Sequence, residues 1–420
     1  TLIAARALMG VGGAFIFPTT LSILTNTFRD PAERARAIGV WAGVAGIGIA
    51  IGPVIGGLLV EHLGWGSVFF VNVPVCAITF VLARWLVPNT SAPEESPLDP
   101  VGAVLSIVGL VALLFAIIEA PTHGWVAPDV VGGFVIGLVF IGLFAAWEAH
   151  TPRPMLDVRF FRNPRFSAAS ATITLTYFAL FASTFLLTQY FQFILGYSPL
   201  ESGLMLTPVA LGLMLGSPVA PRFVHRFGTK RVVVSGLLVV AAAMACYGSD
   251  TIMSSFALGF GIRLFYGIGM GLTAAPVTES IMGSLPPGRA GVGSAVNDTT
   301  RQTGGALGVA VLGSIFAAQY HATFDAARGL PTGVAHSARD SIGTSLQVAK
   351  HLPPGAATQL RDVAQGAFLS SMRITYLCAV AVVLGAVFVA ARFLPARADE
   401  PPEEHELAEA FARGAENAAN

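Results

Sequence analysis

Residues 37–60 read AIGVWAGVAGIGIAIGPVIGGLLV, with no charged side chain and a glycine at almost every turn. At 1.5 Å per residue this run is about 36 Å long as a helix, enough to cross a hydrocarbon core of about 30 Å. Inside lipid only a helix or a closed barrel satisfies its own backbone N–H and C=O groups. Ten more runs pass the same test: 1–26, 66–87, 101–118, 130–147, 166–194, 203–221, 232–248, 254–282, 290–318 and 367–394. Barrel strands would be about 10 residues long with alternating polarity, and nothing here alternates. The expected fold is therefore an all-α integral membrane bundle of eleven helices.

Composition agrees. Of 420 residues, 54% are apolar and 11% charged, with zero formal net charge, and the mean hydropathy is +0.70. Soluble domains carry about 25% charged residues. A nucleic-acid partner is not expected, since there is no excess of Lys and Arg to neutralise phosphates. Cys76, Cys246 and Cys378 each sit in an apolar run and read as small apolar side chains. The chain starts at Thr1, already inside an apolar run and without a signal-peptide pattern.

Positive charge divides the turns. Arg29, Arg34, Arg36, Arg84, Arg153, Arg159, Arg162, Arg165, Arg222, Arg226, Lys230, Arg231 and Arg289 accompany the ends of odd-numbered runs, while the turns after the second, fourth, sixth and eighth hold neither Lys nor Arg. Because basic residues stay inside, the odd turns are expected to be cytoplasmic, Thr1 outside and the C-terminus cytoplasmic. The longer connection 320–366 falls outside by this alternation, its Arg328, Arg339, Lys350 and Arg361 offset by Asp325, Asp340 and Asp362. The acidic tail 396–420 reads as a solvated cytoplasmic end.

An internal repeat is visible. Arg6-x-x-x-Gly10-x-Gly12 in the first run matches Arg263-x-x-x-Gly267-x-Gly269 in the ninth, and Gly48 to Gly57 in the second matches Gly304 to Gly313 in the tenth. Chance is the competing explanation, because apolar helices share a small vocabulary. A parallel repeat fits the even number of helices between the copies. Three runs precede the Arg263 helix within its half, so the repeat predicts three helices, roughly 90 residues, ahead of the Arg6 helix. The expected division is 1–98 as the remainder of an N-terminal half, 99–150 as a central helix pair, and 151–395 as a six-helix C-terminal half.

These motifs resemble the 14-spanner drug:proton antiporter branch of the major facilitator superfamily. The resemblance is carried by Arg6 to Gly12, by Gly48-x-x-x-Gly52-Pro53-x-x-Gly56-Gly57 and by Phe69 to Pro74. It extends to Gly196 to Gly203, Arg301-Gln302-x-Gly304-Gly305 and Gly216 through Arg222 to Gly228-Thr229-Lys230-Arg231. It implies a fragment lacking the family's first three helices, two pseudo-symmetric halves, and alternating access driven by protons. It further implies an antiporter motif at Gly48, Gly52, Pro53, Gly56 and Gly57. A cytoplasmic gating loop is implied at Gly216, Arg222, Arg226, Gly228, Lys230 and Arg231.

Several residues stand out on chemical grounds. Arg301 lies about 16 Å into its helix, where a charge costs at least about 2.5–3.5 kcal/mol and must face an interior or wet surface. Asp298 is three residues away on the same face and is expected to pair with it, either as a static brace or as a pathway element. Gly48, Gly52 and Gly56 recur every four residues, so another backbone can approach, and Pro53 favours a kink; close packing and a sealing bend both fit. Arg6 reads as an interfacial residue or, with Arg263, as a coupling residue that tunes a nearby carboxylate without itself carrying the proton. Glu279 reads as a boundary carboxylate or as a proton carrier. Tyr177, Phe181 and Gln189, on an unusually polar sixth run, suit a cavity for amphiphilic or cationic molecules as well as helix–helix contact.

No Gly-x-x-x-x-Gly-Lys phosphate loop occurs, so ATP is not expected as the energy source; the eight histidines show no metal-ligand spacing and no catalytic cluster is evident. No cofactor or enzyme activity is expected. The sequence thus points to a proton-coupled exporter of drugs or amphiphilic molecules in the cell membrane, a monomer with a small-molecule substrate, protons and the lipid bilayer as partners. A dedicated metabolite exporter and a non-transporting receptor or scaffold are the alternatives.

Overall fold

The computed structural model describes residues 2–28, 30–87, 99–151, 154, 156, 158–249, 255–285, 290–326 and 338–396. Arg29, Arg153, Arg289, Arg328 and the acidic tail from 397 onward lie outside the described residues.

Among the described residues, eleven helices are long and apolar enough to span a membrane. In chain order the helices are α1 Leu2–Thr27, α2 Pro31–Leu63, α3 Ser67–Phe70, α4 Asn72–Leu86, α5 Pro100–His123, α6 Pro128–His150, α7 Pro164–Gln189, α8 Pro199–Phe227 and α9 Thr229–Tyr247. They continue with α10 Phe256–Met282, α11 Ala290–Ala326, α12 Ile342–Ala349 and α13 Pro354–Phe393. The short α3 and α4 form one span. Proline marks the starts: Pro31, Pro100, Pro128, Pro164, Pro199 and Pro354 each open a helix. There its fixed φ suits the first turn and its missing N–H would have lacked a partner anyway. Asp30 caps α2 by accepting from the N–H groups of Ala32 and Glu33. Ser198 and Glu201 cap α8 reciprocally. Gly228, at φ +85°, turns the chain between α8 and α9, a conformation that glycine adopts without Cβ strain.

Most helices outgrow the expected runs, and two are the longest. With 37 and 40 residues, α11 and α13 reach about 55 and 60 Å at 1.5 Å per residue. The 320–366 connection is therefore mostly helical where described: the end of α11, then α12, then the first turns of α13. Tyr320 Oη and Ser345 Oγ lie 3.1 Å apart and tie α11 to α12, while Ser345 also donates to the Ala338 carbonyl at 2.6 Å.

The main core lies in the last six spans, among buried residues such as Phe166, Leu187, Tyr247, Tyr266, Phe368 and Tyr376. Here α8 packs along α10, α7 along α11, and α13 against α7, α9 and α11. The first five spans attach to this body at three seams. α2 runs antiparallel along most of α8, α1 lies on α11, and the α5–α6 hairpin leans on α11 through the Ser314 hydroxyl, which donates to the Ile117 carbonyl at 2.6 Å. Burial follows: 56% of the most apolar window of the α8 span is buried, and 0% of the window in the α3–α4 span.

Candidate functional site

The seam between α2 and α8 comes first, because it positions everything else. A Cβ at Gly39 would lie 3.0 Å from the Ser217 carbonyl, and one at Gly43 3.1 Å from the Pro218 ring. At Gly46 a Cβ would sit 2.8 Å from Met214, and at Gly57 it would overlap the Pro199 carbonyl. In return, a Cβ at Gly203 would overlap the carbonyl of Pro53. Absent side chains let the two backbones touch, the main source of packing energy between helices in lipid. The stripe expected to pack, Gly48, Gly52 and Gly56, faces elsewhere, with no atom within 4 Å of where a Cβ would be. The reason is geometric: α2 carries glycines on two faces, and the neighbour α8 takes only one of them. Pro53 sits inside an unbroken helix.

Arg301, on α11, is only 9% exposed. Its Nη2 donates to Thr278 Oγ1 of α10 at 2.6 Å. The guanidinium carbon stands 4.8 Å from the ring centre of Tyr177 on α7 and 5.2 Å from that of Trp41 on α2. Four helices thus meet at one charge. Cation–π attraction, strongest where water is excluded, stabilises the guanidinium in place of a carboxylate. The expected Asp298–Arg301 ion pair is not formed: the Thr278 hydroxyl and the two aromatic faces hold the guanidinium instead, and Asp298 Oδ2 is buried without a hydrogen-bond partner. Thr278 also donates to Asn297 Oδ1 at 3.3 Å, so its hydroxyl links α10 and α11 beneath the charge.

The residue after Thr278, Glu279 of α10, accepts from Arg34 of α2, with Oε1 3.0 Å from Nε and 2.8 Å from Nη2. Both side chains are mostly shielded, at 18% and 11% exposure. A Cβ at Gly283 would lie 3.1 Å from Arg165 Nη2 and 3.4 Å from Arg34 Nη2, so two guanidinium groups converge beside this carboxylate.

The remaining expected residues are dispersed. Arg263 is 2% exposed, packed 5.2 Å from the Phe191 ring centre, with Nη2 3.8 Å from the Met205 sulfur and with Nε and Nη1 lacking hydrogen-bond partners. It lies fifteen residues, about 22 Å of helix, from Thr278. Arg6, its repeat mate, is exposed on α1. The equivalence of the two in sequence is not matched by equivalent surroundings, because α10 is enclosed by α8 and α9 while α1 touches mainly α11. Tyr177 is near Phe181, with ring centres 6.2 Å apart, and Gln189 lies twelve residues, about 18 Å of helix, further along α7. Gly216 packs on Ile268. Arg222, Arg226 and Arg231 are exposed and Lys230 partly so, with Arg226 lying over the neighbouring Phe227 ring.

Sequence reasoning missed four contributors. Trp41 and Thr278 are neutral residues in apolar runs and gave no signal. Arg34 was counted only as a turn charge, and its partner lies 245 residues away. Glu148, buried at 2% exposure, accepts from the Leu156 N–H and anchors the segment after α6.

Comparison with known proteins places this geometry in a family. The Major Facilitator Superfamily model matches residues 1–309. The chain is 34% identical over 391 residues to the multidrug efflux pump LfrA of Mycolicibacterium smegmatis, covering 92% of this chain and 77% of that protein. It is 32% identical to the tetracenomycin C resistance and export protein of Streptomyces glaucescens, covering 96% and 76%. To the methyl viologen resistance protein SmvA of Salmonella typhimurium it is 31% identical, covering 88% and 75%. With eleven spanning helices among the described residues, four helices meeting at one buried charge, and this span of similarity, the chain belongs to the major facilitator superfamily of multi-pass membrane transporters.

Proposed function

We propose that the protein exports amphiphilic and cationic small molecules across the cell membrane in exchange for protons, by alternating access. The observation that carries this reading is the Arg34–Glu279 pair, which joins α2 to α10 at the Arg-rich end of the bundle. In this reading that end is cytoplasmic, the C-terminus lies on the same side, and the units 1–98, 99–150 and 151–395 are the moving parts. Glu279 is the proton-sensitive residue: a proton on its carboxylate removes one charge of the pair and releases α2 from α10. Arg301 and Asp298 mark the substrate path at mid-membrane, where an intramembrane charge is retained against its desolvation cost. Gly39, Gly43, Gly46, Gly57 and Gly203 form the surface on which the two sides rock. Gly48, Gly52, Pro53 and Gly56 and the loop residues Gly216, Arg222, Arg226, Gly228, Lys230 and Arg231 complete the gating elements, with Arg6 and Arg263 as fixed positive charges. The names of relatives linked to multidrug efflux and to methyl viologen favour a broad, partly cationic substrate range. The name of the tetracenomycin C relative supports a narrower reading, export of one antibiotic-like product.

The test is efflux of a fluorescent cationic dye from energised bacteria expressing the protein, with a protonophore added midway. Efflux that stops on addition supports proton-driven export, and E279Q is then expected to slow it. Dye retention equal to the empty-vector control, with membrane insertion verified, overturns the multidrug reading and leaves the narrow one.

A further inference from the structure

We infer that Trp41 and Tyr177 form a binding site for a monovalent organic cation, and that Arg301 occupies it as a tethered surrogate until the cation displaces it toward Asp298. The inference rests on the export reading above and adds the site and the class of substrate it takes.

The argument starts from what surrounds the guanidinium. Two aromatic rings, from α2 and α7, present their faces to it at 5.2 and 4.8 Å. This is what recognises an organic cation: π faces attract positive charge without demanding directed hydrogen bonds. Arg301 itself is held by only one strong polar contact, the 2.6 Å bond to Thr278, and its Nε has no partner. A residue kept purely as a brace would be expected to use more of its five donors.

Two positive charges cannot share these rings, since like charges a few ångströms apart in a shielded site repel strongly. An arriving cation must therefore expel the guanidinium. Asp298 lies three residues back on α11, and side chains at that spacing stand about 5–6 Å apart at their Cβ atoms. Its buried Oδ2 has no hydrogen-bond partner. The displaced arginine exchanges aromatic faces for a carboxylate, and no buried charge is left without compensation.

Of the helices facing Arg301, only α10 brings a carboxylate near this level, Glu279, the residue after Thr278. α7 carries Arg165 alone, at its start, and α1 carries Arg6 alone. The nearest carboxylate on α10, Glu279, is already engaged by Arg34 of α2.

The test is equilibrium binding of radiolabelled tetraphenylphosphonium to the purified chain in nanodiscs. If Arg301 competes for the site, R301A and R301Q bind the probe about tenfold more tightly than the parent chain. Adding W41A abolishes that gain. D298N, which removes the receiver, weakens binding when Arg301 is present and has no effect in the R301Q background. Unchanged or weaker binding in R301Q, or a gain that survives W41A, overturns the inference. R301Q keeps length and polarity, so it reads the question even if R301A does not fold. Dye efflux is measured on the same variants: tighter binding without proton-driven efflux overturns only the export reading, and intact efflux without tighter binding overturns only this one.

Discussion

Helices α2 and α11 carry the same glycine pattern, Gly48 to Gly57 in one and Gly304 to Gly313 in the other, yet they use it differently. On α11, a Cβ at Gly304 or Gly308 would overlap the backbone of α7 at Thr174 and Phe178. On α2, the matching Gly48 and Gly52 touch nothing, and contact with α8 is made by Gly39, Gly43, Gly46 and Gly57. The lesson is that a small-residue stripe confers permission for two backbones to approach and does not choose the partner. Which stripe is used depends on where the next helix stands, and that is a property of the whole bundle.

The largest effect should separate these matched positions. G308A places a methyl group against the Phe178 carbonyl of α7 and should lower thermal stability by about 3 kcal/mol, near the upper end for overpacking. G52A meets no atom and should stay within about 0.5 kcal/mol of the parent. Melting curves of both variants in one detergent test the contrast. Equal losses at both positions would show that the Gly48–Gly52 face is packed in the operative protein. Nearly as large a difference should appear between two adjacent residues of α2. G57A collides with the Pro199 carbonyl at the first turn of α8, where the chain has some room to shift, and should cost about 2 kcal/mol. G56A should cost almost nothing, and similar melting points for the two would mean α2 is rotated from the orientation described.

A smaller effect concerns the charge pair that joins α2 to α10. R34E places two carboxylates together at the Arg-rich end and should destabilise the chain by about 1–2 kcal/mol, the scale of a lost hydrogen bond to a charged group. The swap R34E/E279R restores opposite charges across the 2.8 Å contact and should regain at least half of the loss in stability and dye efflux. No recovery in the double variant would mean that the two residues act separately.

How much of this was legible from the chain follows from the range over which each signal acts. The spans were legible because a spanning helix needs its apolar residues consecutively, whereas α2 and α8 begin six and four residues ahead of their apolar runs, at Pro31 and Pro199, because a polar first turn adds nothing to such a run. The cost of a charge in lipid singled out Arg301 correctly as an interior residue. Its partners were not legible. The i, i+3 rule proposed Asp298, since only local neighbours are visible in a sequence, whereas the actual contacts Trp41, Tyr177 and Thr278 come from three other helices. The Arg34–Glu279 pair escaped for the same reason. The ends of α11 and α13 were underestimated because their extensions are amphipathic or polar and fall below a hydropathy threshold while remaining helical.

The smallest effect tests the other half of the repeat, where Arg6 and Arg263 occupy matched positions. Arg263 is enclosed, and two of its nitrogens have no hydrogen-bond partner, so its buried charge is compensated mainly by the Phe191 ring. Replacing a poorly paired buried ion by an apolar residue of similar length is commonly neutral or stabilising. R263M should therefore raise stability by about 1 kcal/mol, a shift of about 1 °C in Tm for a chain of this size. R6M, at an exposed position, should leave Tm unchanged. If R263M also reduces dye efflux while raising Tm, the arginine is retained for transport at the expense of stability, and the contrast with Arg6 marks which copy of the repeat carries that function. A fall in Tm on R263M would instead mean that Arg263 has a partner in the operative protein, and its enclosure among Phe191, Met205 and Tyr247 would then be the place to look for it.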